Sequence, residues 1–305
     1  MRPIPTALTI TILLATALAF PVRPRESPLT SGLQREVDRA MGKLPGAFVT
    51  IDVTSRTILA AHRLDLASLR LEAPGSMLKP FVLMALLEAS KLDPKQRLIC
   101  RRPLQIGSAR MDCTHPAAVA ELDGAEAIAY SCNSYIAEVA PRLSGLEMVA
   151  LLRRAGFESP TGLVAHEASG HIELPRNSEE LQLEALGYHG IEVTSLELLE
   201  AYRKLALRKR EALLGVDEPV FNGLEGSVKF GMAHAAFVNG MNIAGKTGTS
   251  VARNTQQTHG FFVGYAPAEK PEIAVVVFLA EGRGMDAAAI AQPVFRAYAK
   301  FREQP

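Results

Sequence analysis

Apolar positions change their spacing twice along this chain. Over residues 30–43, "TSGLQREVDRAMGK", they recur at helical intervals, and "GAFVTIDV" (46–53) then alternates in the manner of a strand. A polar break and "ILAAHR" (58–63) complete a predicted hairpin. From Ser76 to about Lys91 the chain reads as a strongly apolar helix. The stretch from roughly 117 to 240 is mostly helical, in segments such as "GAEAIAYSCNSYIAEVAPRL", "LEMVALLRRAG", "SLELLEAYRKLALRK" and "VKFGMAHAAF". Strand character returns in "GKTGTSVA", "GFFVGYAP" (260–267) and "EIAVVVFLA" (272–280), before a last helix over 286–301. Strands first and last around a helical block predict an α+β fold. One antiparallel sheet is built from both ends of the chain and backed by the terminal helices, with the helical block alongside. No internal repeat or long linker divides it.

The N-terminus carries a different signal. Arg2 precedes the apolar run Ala7–Phe20, and Ala17-Leu18-Ala19 has the small-x-small form of a cleavage site. The run is shorter than the ~20 residues that span a bilayer as a helix. Residues 1–19 are therefore expected to be a signal peptide or short membrane anchor, 20–30 a Pro- and Arg-rich tether, and 31–305 the folded domain. The domain is expected outside the cytoplasm, in the periplasm or on the outer face of the inner membrane, which the N-terminus would contact. A net charge of +1 over 305 residues excludes a dedicated nucleic-acid binder. Export permits a disulfide, and the three cysteines, Cys100, Cys113 and Cys132, allow at most one pair. A Cys100–Cys113 bridge and three reduced thiols both remain open.

The candidate chemistry centres on "GMNIAGKTGTS" (240–250). Gly240, Gly245, Lys246 and Thr247 fit the phosphate loop G-x-x-x-x-G-K-[ST], but that loop needs a strand before it and a helix after it. Here the order is inverted, so Gly240 is read as ending a helix and Gly245 as opening a strand. The alternative is that Lys246-Thr247-Gly248 forms the K-T-G triplet of serine acyl-enzymes. That reading requires partners, and they are present. "PGSMLKPF" contains Ser76-x-x-Lys79, whose spacing puts both side chains on one helix face. Pro80 is tolerated only near a helix start, which sets Ser76 at a helix N-terminus. Ser131-Cys132-Asn133 lies where two helical segments join. Each element is common alone, whereas the ordered set S-x-x-K, S-x-N, K-T-G is specific. "HEASGH" (166–171) fails as a zinc motif, because its histidines are five apart and Gly170 interrupts them. No metal or cofactor is expected.

With those motifs in hand, the chain resembles the transpeptidase domain of penicillin-binding proteins from about residue 30 onward. "AFVTIDVTSRTILA" looks like the family's first hairpin. "ALGYHGIEVTSLELLEAY" (185–202) is similar to its G-x-G and V-T-P-L segment, with Ser195 where proline is usual. "IAGKTGTS…THGFFVGYAP" (243–267) resembles its catalytic strand and neighbour. The resemblance implies a five-stranded antiparallel sheet flanked by helices, beside an all-helical lobe, with the active site between them. It also implies acyl transfer on D-Ala-D-Ala stem peptides of peptidoglycan, with penicillin and other β-lactams as inhibitors. In that picture Ser76 is the nucleophile and a neutral Lys79 its base. Ser131 relays a proton and Asn133 holds the substrate amide. Lys246, Thr247 and Thr249 bind the terminal carboxylate, Gly248 between them belongs to the same substrate-binding strand, and the backbone N–H groups of Ser76 and Thr249 form the oxyanion hole.

Only about 25 residues separate the N-terminal segment from the first strand, so a nearly bare catalytic domain is expected, with a cell-wall assembly protein supplying partner recognition. A D,D-carboxypeptidase, a β-lactamase and a non-enzymatic β-lactam sensor or scaffold are the alternatives. A class A lactamase needs a deacylating glutamate, and Glu173, Glu179 and Glu180 in "HIELPRNSEELQLE" sit in no matching motif. A class D enzyme usually has a hydrophobic residue in place of Asn133 and a tryptophan, and this chain has no Trp.

Overall fold

A computed structural model describes residues 27–211, 215–251 and 257–303. The N-terminal apolar run lies outside these residues; among them, no helix is long and apolar enough to cross a membrane. The helix expected over 30–43 spans Pro28–Met41 and so begins inside the expected tether, capped by the Ser27 side chain.

Five strands make the main sheet: β1 Gly46–Asp52, β2 Ile58–His62, β3 Ala244–Val251, β4 Thr258–Ala266 and β5 Ile273–Leu279. Their order is β2-β1-β5-β4-β3, antiparallel throughout. β5, "IAVVVFL", is buried along its whole length because it is central and covered on both faces. Alternation assigns its side chains. Val275 and Val277, with Phe48 and Phe262, join Leu33 and Val37 of the first helix and Val294 and Phe295 of the last helix, Gly284–Arg302. Val276 and Phe278, with Val49 and Ile51, join the larger core shared with the helical lobe. That lobe also carries three two-stranded ribbons of two-residue strands.

Two helices of the larger core position the cleft. Lys79–Glu88, "KPFVLMALLE", is apolar on almost every side and therefore buried. Phe81 on it packs edge-on against Phe157 and Tyr202, with centroids 5.4 and 5.3 Å apart. Tyr202 belongs to the helix Ser195–Arg210, whose Thr194 and Glu197 form a capping box. Ser195 is the first residue of that helix, the position where proline's fixed φ is favoured, and the capping box defines the same helix start without it.

Two local expectations change. The segment "VKFGMAHAAF" is not one helix: Glu218–Lys229 ends at its start, and a short 3₁₀ turn, His234–Ala236, follows. Gly231 approaches the Ala129 carbonyl so closely that a Cβ would lie 2.2 Å from it, which an uninterrupted helix would not allow. Gly240 ends no helix; it sits at φ 81 between the bridged residues Val238 and Met241. Gly245 lies near the start of β3, as expected.

Candidate active site

Ser76 lies in a 3₁₀ turn, Gly75–Leu78, that runs into the Lys79–Glu88 helix. Pro80 stands in the first turn of the α-helix, where its missing N–H leaves no bond unmade. The turn is fixed from two sides. The Tyr202 hydroxyl donates to the Met77 carbonyl at 2.8 Å, and Gly75 N–H donates to the Gly187 carbonyl at 2.9 Å. Gly187 has to be glycine: its φ is 76, and a Cβ would lie 2.1 Å from the Gly75 carbonyl oxygen.

Ser131 comes from a helix end. The helix Gly124–Ala129 closes with Ser131 N–H on the Ile128 carbonyl at 3.1 Å and Cys132 N–H on the Ala127 carbonyl at 2.8 Å. This is the Schellman pattern, in which the left-handed residue is normally glycine. Here it is Ser131, at φ 55. Left-handed backbone costs a side-chain-bearing residue about 1–2 kcal/mol, a local cost that comes with placing a hydroxyl at this turn. Asn133 then begins the next helix, Asn133–Val139, with its amide nitrogen donating to the Met111 carbonyl at 2.9 Å.

β3 is the edge strand nearest the turn. Gly248 lets the two touch, since an added Cβ would lie 2.7 Å from both the Pro74 carbonyl oxygen and Met77 Cγ. On the same strand Thr249 Oγ1 accepts from Gly284 N–H at 3.0 Å, and the Tyr188 hydroxyl donates to the Thr249 carbonyl at 3.0 Å.

Two fully buried lysines meet at Ser131. Lys79 Nζ is 2.7 Å from the Ser131 carbonyl, 3.3 Å from Ser131 Oγ and 2.5 Å from Asn133 Oδ1. Lys246 Nζ donates to Ser131 Oγ at 2.8 Å and to the Thr247 carbonyl at 2.9 Å. Burial lowers the Lys79 pKa to about 8, against the opposing pull of Cys132 and Cys113. Burial, and then the neighbouring Lys79 charge, push Lys246 well below the usual lysine range. Each nitrogen can thus carry a lone pair near neutral pH. Ser131 Oγ accepts from both, which leaves its own proton free to donate into the cleft.

A cavity of about 420 Å³ opens above this arrangement. Of the residues expected from sequence, Ser76, Ser131, Asn133, Thr247 and Thr249 line it. Lys79, Lys246 and Gly248 form the layer beneath. The sequence reading did not include Asp112, Thr114, Tyr188, Met232, Arg283 and Met285, which complete the lining. Five of them come from loops with no periodic pattern, Arg283 just before the last helix, and Met285 stands in that helix's first turn. Glu173, Glu179 and Glu180 do not line the cavity, and its lining carboxylate is Asp112. That side chain is committed, accepting from Leu104 N–H at 2.8 Å and from Arg110 at 2.5 Å. The cysteines are all free, with Cys100 and Cys113 sulfurs 3.5 Å apart and unbridged.

Comparison with known proteins gives a consistent picture. The penicillin binding protein transpeptidase domain family matches residues 70–300. The "Probable peptidoglycan D,D-transpeptidase PenA" of Neisseria flavescens is 24% identical over 73% of this chain and 62% of that protein. "Peptidoglycan D,D-transpeptidase MrdA" of Acinetobacter baumannii is 46% identical over a stretch of 68 residues, 17% of this chain and 10% of that protein. The chain spans 62% of the Neisseria flavescens relative and 42% of its Neisseria gonorrhoeae counterpart. The D,D-transpeptidase domain of a peptidoglycan glycosyltransferase from Eggerthella lenta superposes with a TM-score of 0.77, covering 90% of this chain and 82% of that one at 21% identity. That likeness carries the fold.

Proposed function

The chain belongs to the penicillin-binding protein transpeptidase family, and from that premise we propose that it is a serine D,D-transpeptidase working through a Ser76 acyl-enzyme. The observation that carries this reading is the Ser131 hydroxyl held between two lysines whose burial lowers their pKa values, at the edge of the cavity that Ser76 lines. Ser76 attacks the carbonyl of the penultimate D-Ala of a stem peptide. Lys79, in its neutral form, takes the hydroxyl proton, and the backbone N–H groups of Ser76 and Thr249 hold the oxyanion. Ser131 passes a proton to the departing D-Ala amine and is reprotonated from the lysines. An amine of a neighbouring stem then attacks the ester carbonyl, its proton passes back to Ser76 Oγ as the Oγ–acyl bond breaks, and the new amide is the cross-link.

Substrate binding follows from the lining. β3 is an edge strand, so an extended peptide can add to it by main-chain hydrogen bonds. Thr247 and Thr249 face the terminal carboxylate, and Arg283 supplies its cation. Lys246 is fully buried and committed to Ser131, so its part is on the proton path rather than as an open anion anchor. Slow deacylation, which separates this reading from a lactamase, is supported by the lining: among the described residues no glutamate reaches the cavity. The N-terminal apolar run in the sequence supports a domain outside the cytoplasm, held at the membrane or released from it.

The test is incubation of the purified protein with labelled penicillin, followed by mass spectrometry. A long-lived adduct on Ser76, lost in Ser76→Ala, is the expected outcome. Rapid drug turnover would favour a β-lactamase, and an intact drug with no adduct would leave a scaffold.

A further inference from the structure

One cluster of reactive side chains near the cleft takes no part in this chemistry. Cys100, Cys113, His115 and Cys132 bring their ligand atoms within 4.8 Å of one another. Cys100 follows the short strand Leu98–Ile99. Cys113 and His115 lie in the loop beyond it, and Cys132 stands between Ser131 and Asn133. Cys132 is 0% exposed, His115 2% and Cys113 9%, while Cys100 is half-buried.

The separations discriminate between occupants. A disulfide needs sulfurs at about 2.05 Å. Tetrahedral zinc, with Zn–S near 2.3 Å and Zn–N near 2.0–2.1 Å, puts ligand sulfurs about 3.8 Å apart and sulfur to nitrogen about 3.5 Å apart. The Cys100–Cys113 sulfurs are 3.5 Å apart and the Cys113–Cys132 sulfurs 3.7 Å, and Cys100 Sγ lies 3.5 Å from His115 Nε2. These three edges match a closed Cys₃His zinc site, and the other three ligand pairs lie within 4.8 Å.

The surroundings suit bound thiolates. Cys113 Sγ accepts from Asn133 N–H at 3.2 Å and Ser134 N–H at 3.4 Å, and Cys132 Sγ from Tyr135 N–H at 3.4 Å. Arg102 Nε donates to Cys100 Sγ at 3.4 Å, and its Nη2 to the His115 carbonyl at 2.8 Å. Three thiolates around a dication leave one negative charge, which this guanidinium neutralises. His115 Nδ1 lies 3.2 Å from the Pro116 carbonyl, an acceptor for the Nδ1–H tautomer that would leave Nε2 for the metal. Arg102 Nη2 also lies 2.7 Å from Nδ1 and 3.1 Å from Nε2, contacts that the ring gives up on taking the ion.

We propose that Cys100, Cys113, His115 and Cys132 bind one zinc ion as a structural site that pins the 100–115 loop to the Ser131–Asn133 turn. Residues 99–121 have little regular structure beyond two-residue strands, and the loop's own ladder is the short pairing of Gln105–Ile106 with Ala109–Arg110. The same loop receives the Asn133 amide through the Met111 carbonyl and contributes Asp112 and Thr114 to the cavity. The ion would thus hold one wall of the cleft in register with Ser131.

The site is tested on the whole chain, reduced and stripped of metal with chelator, by anaerobic titration with Co²⁺. One equivalent should give intense sulfur-to-cobalt charge-transfer and tetrahedral d–d bands, and one equivalent of Zn²⁺ should erase them. Cys100→Ser, at the half-buried ligand, should weaken Zn²⁺ binding by more than the roughly 10–100-fold that loss of an outer partner costs. A weak octahedral cobalt spectrum, or no binding by protein whose three thiols titrate as free, would overturn the site. So would a stable Cys100–Cys113 disulfide in protein isolated without reductant and replete with zinc. A further consequence rests on the proposed transpeptidase reading: penicillin acylation slows on stripping and returns with Zn²⁺. The cobalt spectrum needs no acylation, so failure of the metal site and failure of the enzyme reading are told apart.

Discussion

Replacing Gly248 by alanine isolates the contact that lets the strand and the Ser76 turn share a cleft. The new Cβ would lie 2.7 Å from the Pro74 carbonyl oxygen and Met77 Cγ, and 3.0 Å from Met77 Sδ. Carbon–oxygen contacts settle at about 3.3–3.6 Å, so β3 and the turn must separate by roughly 0.6–0.9 Å. Met77 is fully buried and Pro74 offers backbone, so neither swings aside. The displaced strand carries Thr249 N–H, one of the two proposed oxyanion donors. Loss of one such donor costs about 2.7–4 kcal/mol, a fall in acylation of ~10²–10³-fold. Stability should drop by only about 1–3 kcal/mol, the usual cost of overpacking. The assay is the second-order rate of labelling by fluorescent penicillin, read beside the Tm. Gly32→Ala is the control, because nothing lies within 4 Å of its added Cβ. Wild-type labelling by a folded Gly248→Ala protein would refute the claim that this contact sets the oxyanion geometry.

Other expectations follow from the same site. In the proposed mechanism acylation uses neutral Lys79, whose pKa burial lowers to about 8; the rate should climb ~tenfold per pH unit below that value and level off above it, and a flat profile would count against Lys79 as base. Lys246 is held well below the usual lysine range, by burial first and then by the Lys79 charge, so it is uncharged where Lys79 titrates and Lys246→Ala should leave that midpoint in place. Arg283→Gln should weaken penicillin labelling by ~10–100-fold, the range for a hydrogen bond to a charged group, without moving the midpoint; an unchanged rate would remove Arg283 from carboxylate binding. Arg203 holds both oxygens of the buried Glu200 carboxylate at 2.8 Å and the Val53 carbonyl at 2.8 Å. Arg203→Ala should therefore cost about 3–5 kcal/mol in thermal or denaturant unfolding, even though Arg56 remains 3.5 Å from Glu200.

Much of this was legible because periodicity reports burial. "EIAVVVFLA" reads as a strand, and β5 is one. "KPFVLMALLE" reads as a helix without a polar side, and it carries Lys79 into the core. The ordered motifs brought together Ser76, Ser131 and the Lys246–Thr249 strand. What escaped was set by tertiary approach rather than by local pattern. The break after Lys229 follows from Gly231 meeting Ala129 across two helices. Arg283 enters the cavity from a loop, and loops carry no repeat from which to read direction. The four metal-ligand candidates are spread from 100 to 132 at intervals that fit no short motif, so only the fold assembles them.

The sheet order has a consequence for how the protein comes into being. β1 cannot pair with β5 until roughly 230 further residues have been made, an interval on the order of 10–50 s at usual synthesis rates of about 5–20 residues per second. During that wait the β1–β2 hairpin is an isolated ribbon, marginal in water, with an apolar edge open to other chains. β3 then pairs only with β4, and β4 with β5, so the Lys246–Thr249 edge gains support as the final strand arrives. Penicillin labelling of a growing chain should accordingly stay silent until β5 is complete, and chains cut before Ile273 should be substrates for proteases and chaperones rather than for the drug.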